Sequence, residues 1–236
     1  MQCLNVGKPK MSHENINTLI ASIGLLIGLV TAWHQFGPSP DELEIEVIDR
    51  FEFSIPFESL RPFPKLNDEP ERTIAGPVFW KAVLYNKLDR PLSIKELKTF
   101  MISEAGGLSQ YSDMQLGVFD IDKKPIHFPI SIESRNAKAI FIGLNIPVLK
   151  DQPEEKSCFK PNLSRRDVEV CYFSKGVDLF GNTVDYTEYP NPGGEPFISV
   201  RWPDGTTSPS FVSVIRTGDN SEFSARFQYY PSMKTN

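Results

Sequence analysis

An uncharged apolar run near the N-terminus constrains this chain more than any other feature. The run extends from Ile16 to Trp33 and consists mainly of Leu, Ile, Val, Ala and Gly. At a helical rise of about 1.5 Å per residue it reaches about 27 Å, close to the roughly 30 Å hydrocarbon core of a bilayer. The run therefore predicts a transmembrane signal-anchor helix over residues 16–36.

The charges on either side of the run predict its orientation. Lys8 and Lys10 precede it, whereas the first charged residues after it are acidic, beginning with Asp41. Because basic residues stay on the cytoplasmic side, we expect residues 1–15 to be a cytoplasmic tail and residues 37–41 a linker. Residues 42–236 then form an exported domain, periplasmic or extracellular, of a single-pass membrane protein.

Two other interpretations of the run remain open. A signal peptide cleaved after Val30-Thr31-Ala32 also exports the rest of the chain, but Trp33 and Phe36 suit an aromatic belt at the membrane surface and favour an uncleaved anchor. A buried helix of a soluble domain normally carries polar residues on one face, and this run has no such face.

Small residues recur at helical spacing within the run. Gly24 and Gly28 form a G-x-x-x-G pattern, and Ala32 continues the same face one turn further. Such a face lets two membrane helices approach closely, which indicates a homodimer or a partner helix. Glycine is also frequent in membrane helices without any such role, so chance is the competing explanation.

The exported part is predicted to be mostly β-structure without a helix. Leu43, Ile45 and Val47 alternate with Glu residues, and after a phase shift Phe51 and Phe53 resume the alternation. Five prolines in residues 54–77 predict a long connection there. The further predicted strands are Val78–Asn86, Leu92–Ile102, Gln115–Ile121, Ile126–Ile132, Ala137–Ile146, Val168–Phe173, Asp178–Tyr186, Phe197–Trp202, Phe211–Thr217 and Glu222–Tyr230.

This many short strands indicate an antiparallel β-sandwich or a barrel. The polar segment Lys150–Arg166 could divide two small domains, but it is short for a linker, so we expect one domain with an inserted loop. In Ala82–Ile94, Asn86 ends one strand, Asp89-Arg90-Pro91 makes a turn and Leu92 begins the next strand. This phrase resembles the immunoglobulin-like modules of single-pass bacterial envelope proteins, a resemblance that implies a sandwich fold and carries no functional residues.

Cysteine placement agrees with export. Cys3 precedes the apolar run, whereas Cys158 and Cys171 follow it and lie thirteen residues apart. In an oxidising compartment the two can form a disulfide, which would stabilise the fold by about 3 kcal/mol through loop closure. Two cysteines at this spacing match no zinc site, so the prediction is a structural disulfide.

Candidate catalytic and metal-binding groups are few. His127 is the one histidine predicted within a strand of the exported domain, and Asp113, Asp120 and Asp122 lack the pattern of a calcium loop. No hydrolase, metalloprotease or nucleotide-binding motif is present. We therefore expect no catalytic residue, no metal and no cofactor, and the net charge of -5 without a long basic run argues against nucleic acid.

The prediction for function is a non-enzymatic module, structural or protein-binding, on a membrane anchor. The alternative is an envelope hydrolase or carbohydrate-binding domain, since paired carboxylates have no fixed spacing in sequence. Aromatic residues of the C-terminal third could form a stacking platform for a sugar. These are Tyr186, Tyr189, Trp202, Tyr229 and Tyr230.

Overall fold

The structure is a computed structural model that describes residues 22–29, 40–65, 70–103, 106–151, 157–194 and 196–230. It divides into two compact units, Met1–Pro40 and Asp41–Asn236. In the first unit, residues 22–29 are helical and exposed. No helix in the described part of the chain is both long enough and apolar enough to cross a membrane. The rest of the predicted anchor, residues 16–21 and 30–36, lies outside the described residues.

The second unit is built from antiparallel strands and one described helix. The strands are β1 (Leu43–Phe51), β2 (Glu58–Pro62), β3 (Arg72–Asn86), β4 (Leu92–Ile102), β5 (Leu108–Ser109), β6 (Gln115–Phe119), β7 (Pro125–Ile126), β8 (Ile130–Ile132), β9 (Ala137–Leu149), β10 (Asp185–Tyr189), β11 (Phe197–Arg201), β12 (Ser210–Thr217) and β13 (Glu222–Gln228). The helix, α1, is Arg165–Ser174. The prediction of a mostly β fold with antiparallel sheets is confirmed.

Two main sheets share one hydrophobic core. The six-stranded sheet has the order β1-β3-β9-β6-β7, with β2 also paired to β3, and the five-stranded sheet has the order β13-β12-β4-β5, with β8 paired to β4. Trp80 of β3 contacts the rings of Phe211 in β12 and Phe227 in β13, with centroids 5.4 and 5.2 Å apart. β10 and β11 form a separate hairpin.

The outer face of the six-stranded sheet is also apolar. Phe53, Phe79 and Phe141 form a second buried cluster there, with neighbouring ring centroids 4.5 to 4.9 Å apart. Residues of β3 and β9 are therefore buried on both faces of the sheet, which explains their nearly continuous apolar sequences.

A β-bulge accounts for the phase shift in β1. The pairing with β3 moves by one residue between Val47 and Asp49, leaving Ile48 unpaired and half exposed. Beyond the bulge, Arg50 lies opposite Trp80 and Phe51 lies opposite Phe79. Since Trp80 belongs to the main core and Phe79 to the outer cluster, Arg50 lies on the core face of β1.

The predicted strand Val168–Phe173 was wrong, because this segment is helical. Ser164 caps α1 by accepting a hydrogen bond from the Asp167 backbone, and the Asp167 carboxylate accepts one from the Ser164 backbone. Val168 and Tyr172, one turn apart, then share the buried face of the helix. The β-branched and aromatic content of the segment had favoured a strand.

The predicted strand Asp178–Tyr186 was also largely wrong. The Asp178 carboxylate accepts hydrogen bonds from the backbone N–H groups of Phe180 and Asn182, at 2.9 Å each, which folds this segment into a tight turn. β10 begins only at Asp185.

Residues 54–77, predicted to be a connection, contain β2 and the start of β3. Pro77 is accommodated because the pairing of β3 with β9 shifts between Ala75 and Val78. A Cβ at Gly76 would collide with the Asn145 side chain, so only glycine allows this close approach.

Candidate functional site

A cleft of about 450 Å³ opens between β1 and β13, which lie at the edges of the two main sheets and contact one another. Its wall is partly apolar and partly polar. The residues that line it are Val47, Ile48, Asp49, Arg50, Trp80, Ile102, Ser210, Arg226, Phe227 and Gln228.

Arg50 is held in the wall of this cleft by a carboxylate and two aromatic rings. Its Nη1 donates a 2.7 Å hydrogen bond to Oε1 of Glu169. Its guanidinium lies 4.3 Å from the ring centroid of Tyr229 and 5.1 Å from that of Tyr230. These contacts supply both opposite charge and cation–π attraction, so the Arg50 side chain is fixed on the core face of β1.

Glu169 is the centre of a buried polar cluster, the Glu169 cluster, made of Arg50, Arg165, Glu169 and Tyr229. Besides Arg50, Oε1 of Glu169 accepts a hydrogen bond of 2.7 Å from the Tyr229 hydroxyl, and Oε2 accepts one of 2.8 Å from Nη1 of Arg165. Glu169 is only 7% exposed, so its charge depends on these partners. The cluster joins β1, α1 and the residue that follows β13.

The protonation of Tyr229 suits its role as a donor. Burial, and next the nearby Glu169 carboxylate, raise the pKa of Tyr229 above its ordinary value, and this outweighs the opposite effect of the two arginines. The phenol therefore keeps its proton at neutral pH and donates a hydrogen bond to Glu169.

Two buried hydrogen-bond donors belong to side chains that line the cleft. Nε of Arg50 and Nε1 of Trp80 are buried and have no hydrogen-bond partner among the residues that the structure describes. Trp80 is 1% exposed. The Asp49 carboxylate, the acidic group in the wall, accepts a 2.6 Å hydrogen bond from the Arg50 backbone N–H. Both donor atoms have almost no accessible surface, so a group that supplies acceptors reaches them only when side chains of the wall move.

A second cavity, of about 560 Å³, lies between β2 and residues 157–161. None of the four buried side chains that hold an unpartnered polar atom in the described part of the chain lines this cavity. The cleft between β1 and β13, with two such side chains in its wall, is therefore the stronger candidate.

The structure joins the two cysteines predicted to pair. Cys158 and Cys171 form a disulfide with their Cα atoms 5.5 Å apart. Because Cys171 lies on α1, the disulfide attaches the loop before the helix to the helix that carries Arg165 and Glu169. Gly24 and Gly28 lie in the helical residues 22–29, whereas Ala32 lies outside the described residues.

The other groups considered from the sequence serve the fold or lie apart. His127 is exposed between β7 and β8. Asp113 forms an ion pair with Arg61, and the Asp120 carboxylate accepts hydrogen bonds from two backbone N–H groups of its own turn. No group of three or more His, Cys, Asp or Glu side chains suited to a metal ion occurs in the described ranges.

The five aromatic residues considered for a stacking platform do not share an exposed surface. Tyr229 and Tyr230 are buried, and Trp202 packs against Tyr230 and donates from Nε1 to the Asp178 carboxylate at 3.1 Å. Tyr189 is exposed at the end of the β10–β11 hairpin.

Sequence reasoning missed Arg50, Trp80 and Glu169. The phase shift before Phe51 was the available signal for Arg50, since it places this arginine on the core face. The Arg165–Glu169 pair has the i, i+4 spacing of a helix, but that signal was hidden once the segment was interpreted as a strand.

No known protein family matches this chain, and a comparison with curated proteins also found no match.

The Cys158–Cys171 disulfide can be tested by mass spectrometry of peptides from the unreduced protein. In the unreduced protein, the peptides containing Cys158 and Cys171 should be recovered as one linked species, lighter by two hydrogen atoms than the separate thiols. Replacing both cysteines by serine should lower the free energy of unfolding by about 3 kcal/mol, and adding reductant to this variant should change nothing further. Two free thiols in the unreduced protein would contradict the assignment.

The Glu169 cluster leads to a test by stability. Glu169→Gln leaves the buried Arg50 guanidinium without its carboxylate and leaves Arg165 only the carboxylate of Glu52, 3.6 Å away, so it should lower the free energy of unfolding by about 3–5 kcal/mol, measured by urea denaturation. Glu222→Gln is the matched control, since Glu222 pairs with Arg216 on the surface, and should cost less than about 1 kcal/mol. Equal effects of the two changes would show that burial does not distinguish the two pairs.

Proposed function

We propose that this chain is a single-pass membrane protein whose exported, immunoglobulin-like β-domain binds a protein partner and has no catalytic activity. The apolar run after Lys8 and Lys10 supports an anchor with a cytoplasmic N-terminus. The Cys158–Cys171 disulfide suits an oxidising compartment on the other side of the membrane. The face formed by Gly24, Gly28 and Ala32 stays a prediction of self-association.

The cleft between β1 and β13 is the structural feature that best supports the proposed binding of a partner. It combines an apolar wall with two buried donors, on Arg50 and Trp80, that have no acceptor within the described residues. Leaving a buried donor unsatisfied costs about 1–3 kcal/mol, so a partner that supplies acceptors recovers this cost on binding.

Recognition by side chains fits this cleft better than addition of a strand to β1. An added strand requires a regular edge with free backbone groups. In β1 the bulge at Ile48 interrupts that edge, and a charged residue, Arg50, points inward beside it. Both features are common protections of natural sheet edges against uncontrolled pairing.

The alternative, an envelope hydrolase or carbohydrate-binding domain, requires carboxylates that are free to exchange protons or to accept hydrogen bonds from a sugar. At this cleft Asp49 is the one carboxylate among the described lining residues, and both oxygens of Glu169, which contacts Arg50, accept hydrogen bonds from neighbouring side chains. These contacts favour binding over hydrolysis.

Photocrosslinking in intact cells tests the proposal. A photoreactive amino acid should be placed at Ile48, which lines the cleft and is 50% exposed, in the full chain. Ile121 is the control, because it is 74% exposed and lies near β7, at the opposite edge of the six-stranded sheet. We expect a discrete crosslinked membrane or envelope protein from position 48 and none from position 121. The same products from both positions, or cytosolic proteins alone, would contradict the proposal.

A further inference from the structure

The chemistry of the cleft narrows the class of group that it binds. Nε–H of Arg50 and Nε1–H of Trp80 can only donate hydrogen bonds. Both are buried in the wall and unpartnered within the described part of the chain. We propose that the cleft binds a carboxylate carried on an apolar group, an inference that rests on the proposed binding role of this cleft.

The donor set favours an anionic acceptor. A carboxylate is an acceptor with two oxygens, and its hydrogen bonds to a guanidinium are about twice as strong as those between neutral groups. Arg226 is exposed and lines the same cleft, where its guanidinium has no ion pair with a described residue. Since Arg50 already pairs with Glu169, Arg226 supplies the positive charge of the described wall that a carboxylate can pair with.

The apolar residues of the wall indicate that the same ligand also carries an apolar group. Val47, Ile48 and Phe227 line the cleft together with Ile102 at the end of β4. The volume of about 450 Å³ falls within the range of small-ligand pockets, from roughly 300 to 1,000 Å³. A ligand with a large aliphatic side chain and an adjacent carboxylate would contact the apolar lining residues with the side chain and the hydrogen-bond donors with the carboxylate.

A sugar or a cation fits these residues less well. Sugar hydroxyl groups need protein acceptors as well as donors, and a cation needs free carboxylates. Asp49 is the one carboxylate among the described lining residues and already accepts a hydrogen bond from the Arg50 backbone, and Ser210 and Gln228 are the neutral polar side chains beside it. The same carboxylate chemistry can come from the C-terminus of a partner's peptide chain or from a small organic acid.

The indole resonances of the full chain give a direct test. The protein has three tryptophans. Nε1 of Trp80 has no acceptor among the described residues, whereas Nε1 of Trp202 donates to Asp178. Titration of ¹⁵N-tryptophan-labelled full-length protein with N-acetyl-leucine should move the Trp80 indole N–H resonance downfield and leave that of Trp202 unchanged. N-acetyl-leucinamide, which has the same apolar body without the charge, should move it at least about tenfold less at equal concentration.

A second titration, with a peptide, distinguishes the C-terminus of a partner protein from a small organic acid as the source of the carboxylate. An acetylated tetrapeptide that ends in leucine with a free carboxylate should be titrated beside N-acetyl-leucine. Tighter binding of the peptide indicates a partner's C-terminus, whereas equal or weaker binding indicates a small acid, and both results support carboxylate recognition.

Variants connect the shift to the cleft. Arg226→Gln removes an exposed charge, so the fold is kept, and it should weaken binding of N-acetyl-leucine about tenfold. Arg216→Gln is the matched control on the neighbouring strand, where the arginine pairs with Glu96 and Glu222, and should leave binding unchanged. An unmoved Trp80 resonance, an equal shift with the amide, or equal binding by the Arg226 variant would each overturn the inference. A cleft crosslink in cells combined with any of these results would leave the binding role standing and refute only the carboxylate.

Discussion

One buried carboxylate, that of Glu169, connects the parts of the β-domain that form the cleft. It accepts hydrogen bonds from Arg50 on β1, from Arg165 on its own helix and from Tyr229 after β13. A buried charge is tolerated only when its partners compensate for the lost hydration. The three elements must therefore keep their relative positions for Glu169 to remain stable as a carboxylate. The Cys158–Cys171 disulfide also restrains this helix.

The same requirement explains why the cleft contains donors. Glu169 accepts a hydrogen bond from one guanidinium nitrogen of Arg50, and this contact holds the Arg50 side chain on the core face of β1, where Arg50 lies opposite Trp80. Among the described residues, neither Nε of Arg50 nor Nε1 of Trp80 then has an acceptor. The bulge at Ile48 is the local feature that makes this possible, because without it the alternation of β1 would place Arg50 on the outer face. The compensation of charge at Glu169 and the two donors on which the proposed binding role rests therefore have one origin.

Much of the β-domain could be predicted from local sequence patterns. Alternating residues specify β1 and β4, and the spacing and expected compartment of Cys158 and Cys171 indicated their pairing. Local sequence patterns predicted the wrong secondary structure where hydrogen bonds from side chains determine the backbone conformation, as in the Ser164–Asp167 capping box and the Asp178 turn. The cleft could not be predicted from the sequence for a different reason. Arg50 and Glu169 are 119 residues apart, and no periodic pattern indicates which strand will lie beside which helix.

A double-mutant cycle between Arg50 and Glu169 tests most directly whether this carboxylate organises the cleft. The free energy of unfolding should be measured for the full-length wild type, Arg50→Met, Glu169→Gln and the double variant. Arg50→Met removes one of the two arginines that pair with Glu169, and Glu169→Gln leaves the buried Arg50 guanidinium without its carboxylate. Because the double change removes both groups of this pair, we expect a coupling energy of at least about 1.5 kcal/mol. Additive effects, with a coupling below about 0.5 kcal/mol, would show that the two residues act independently and would contradict the account.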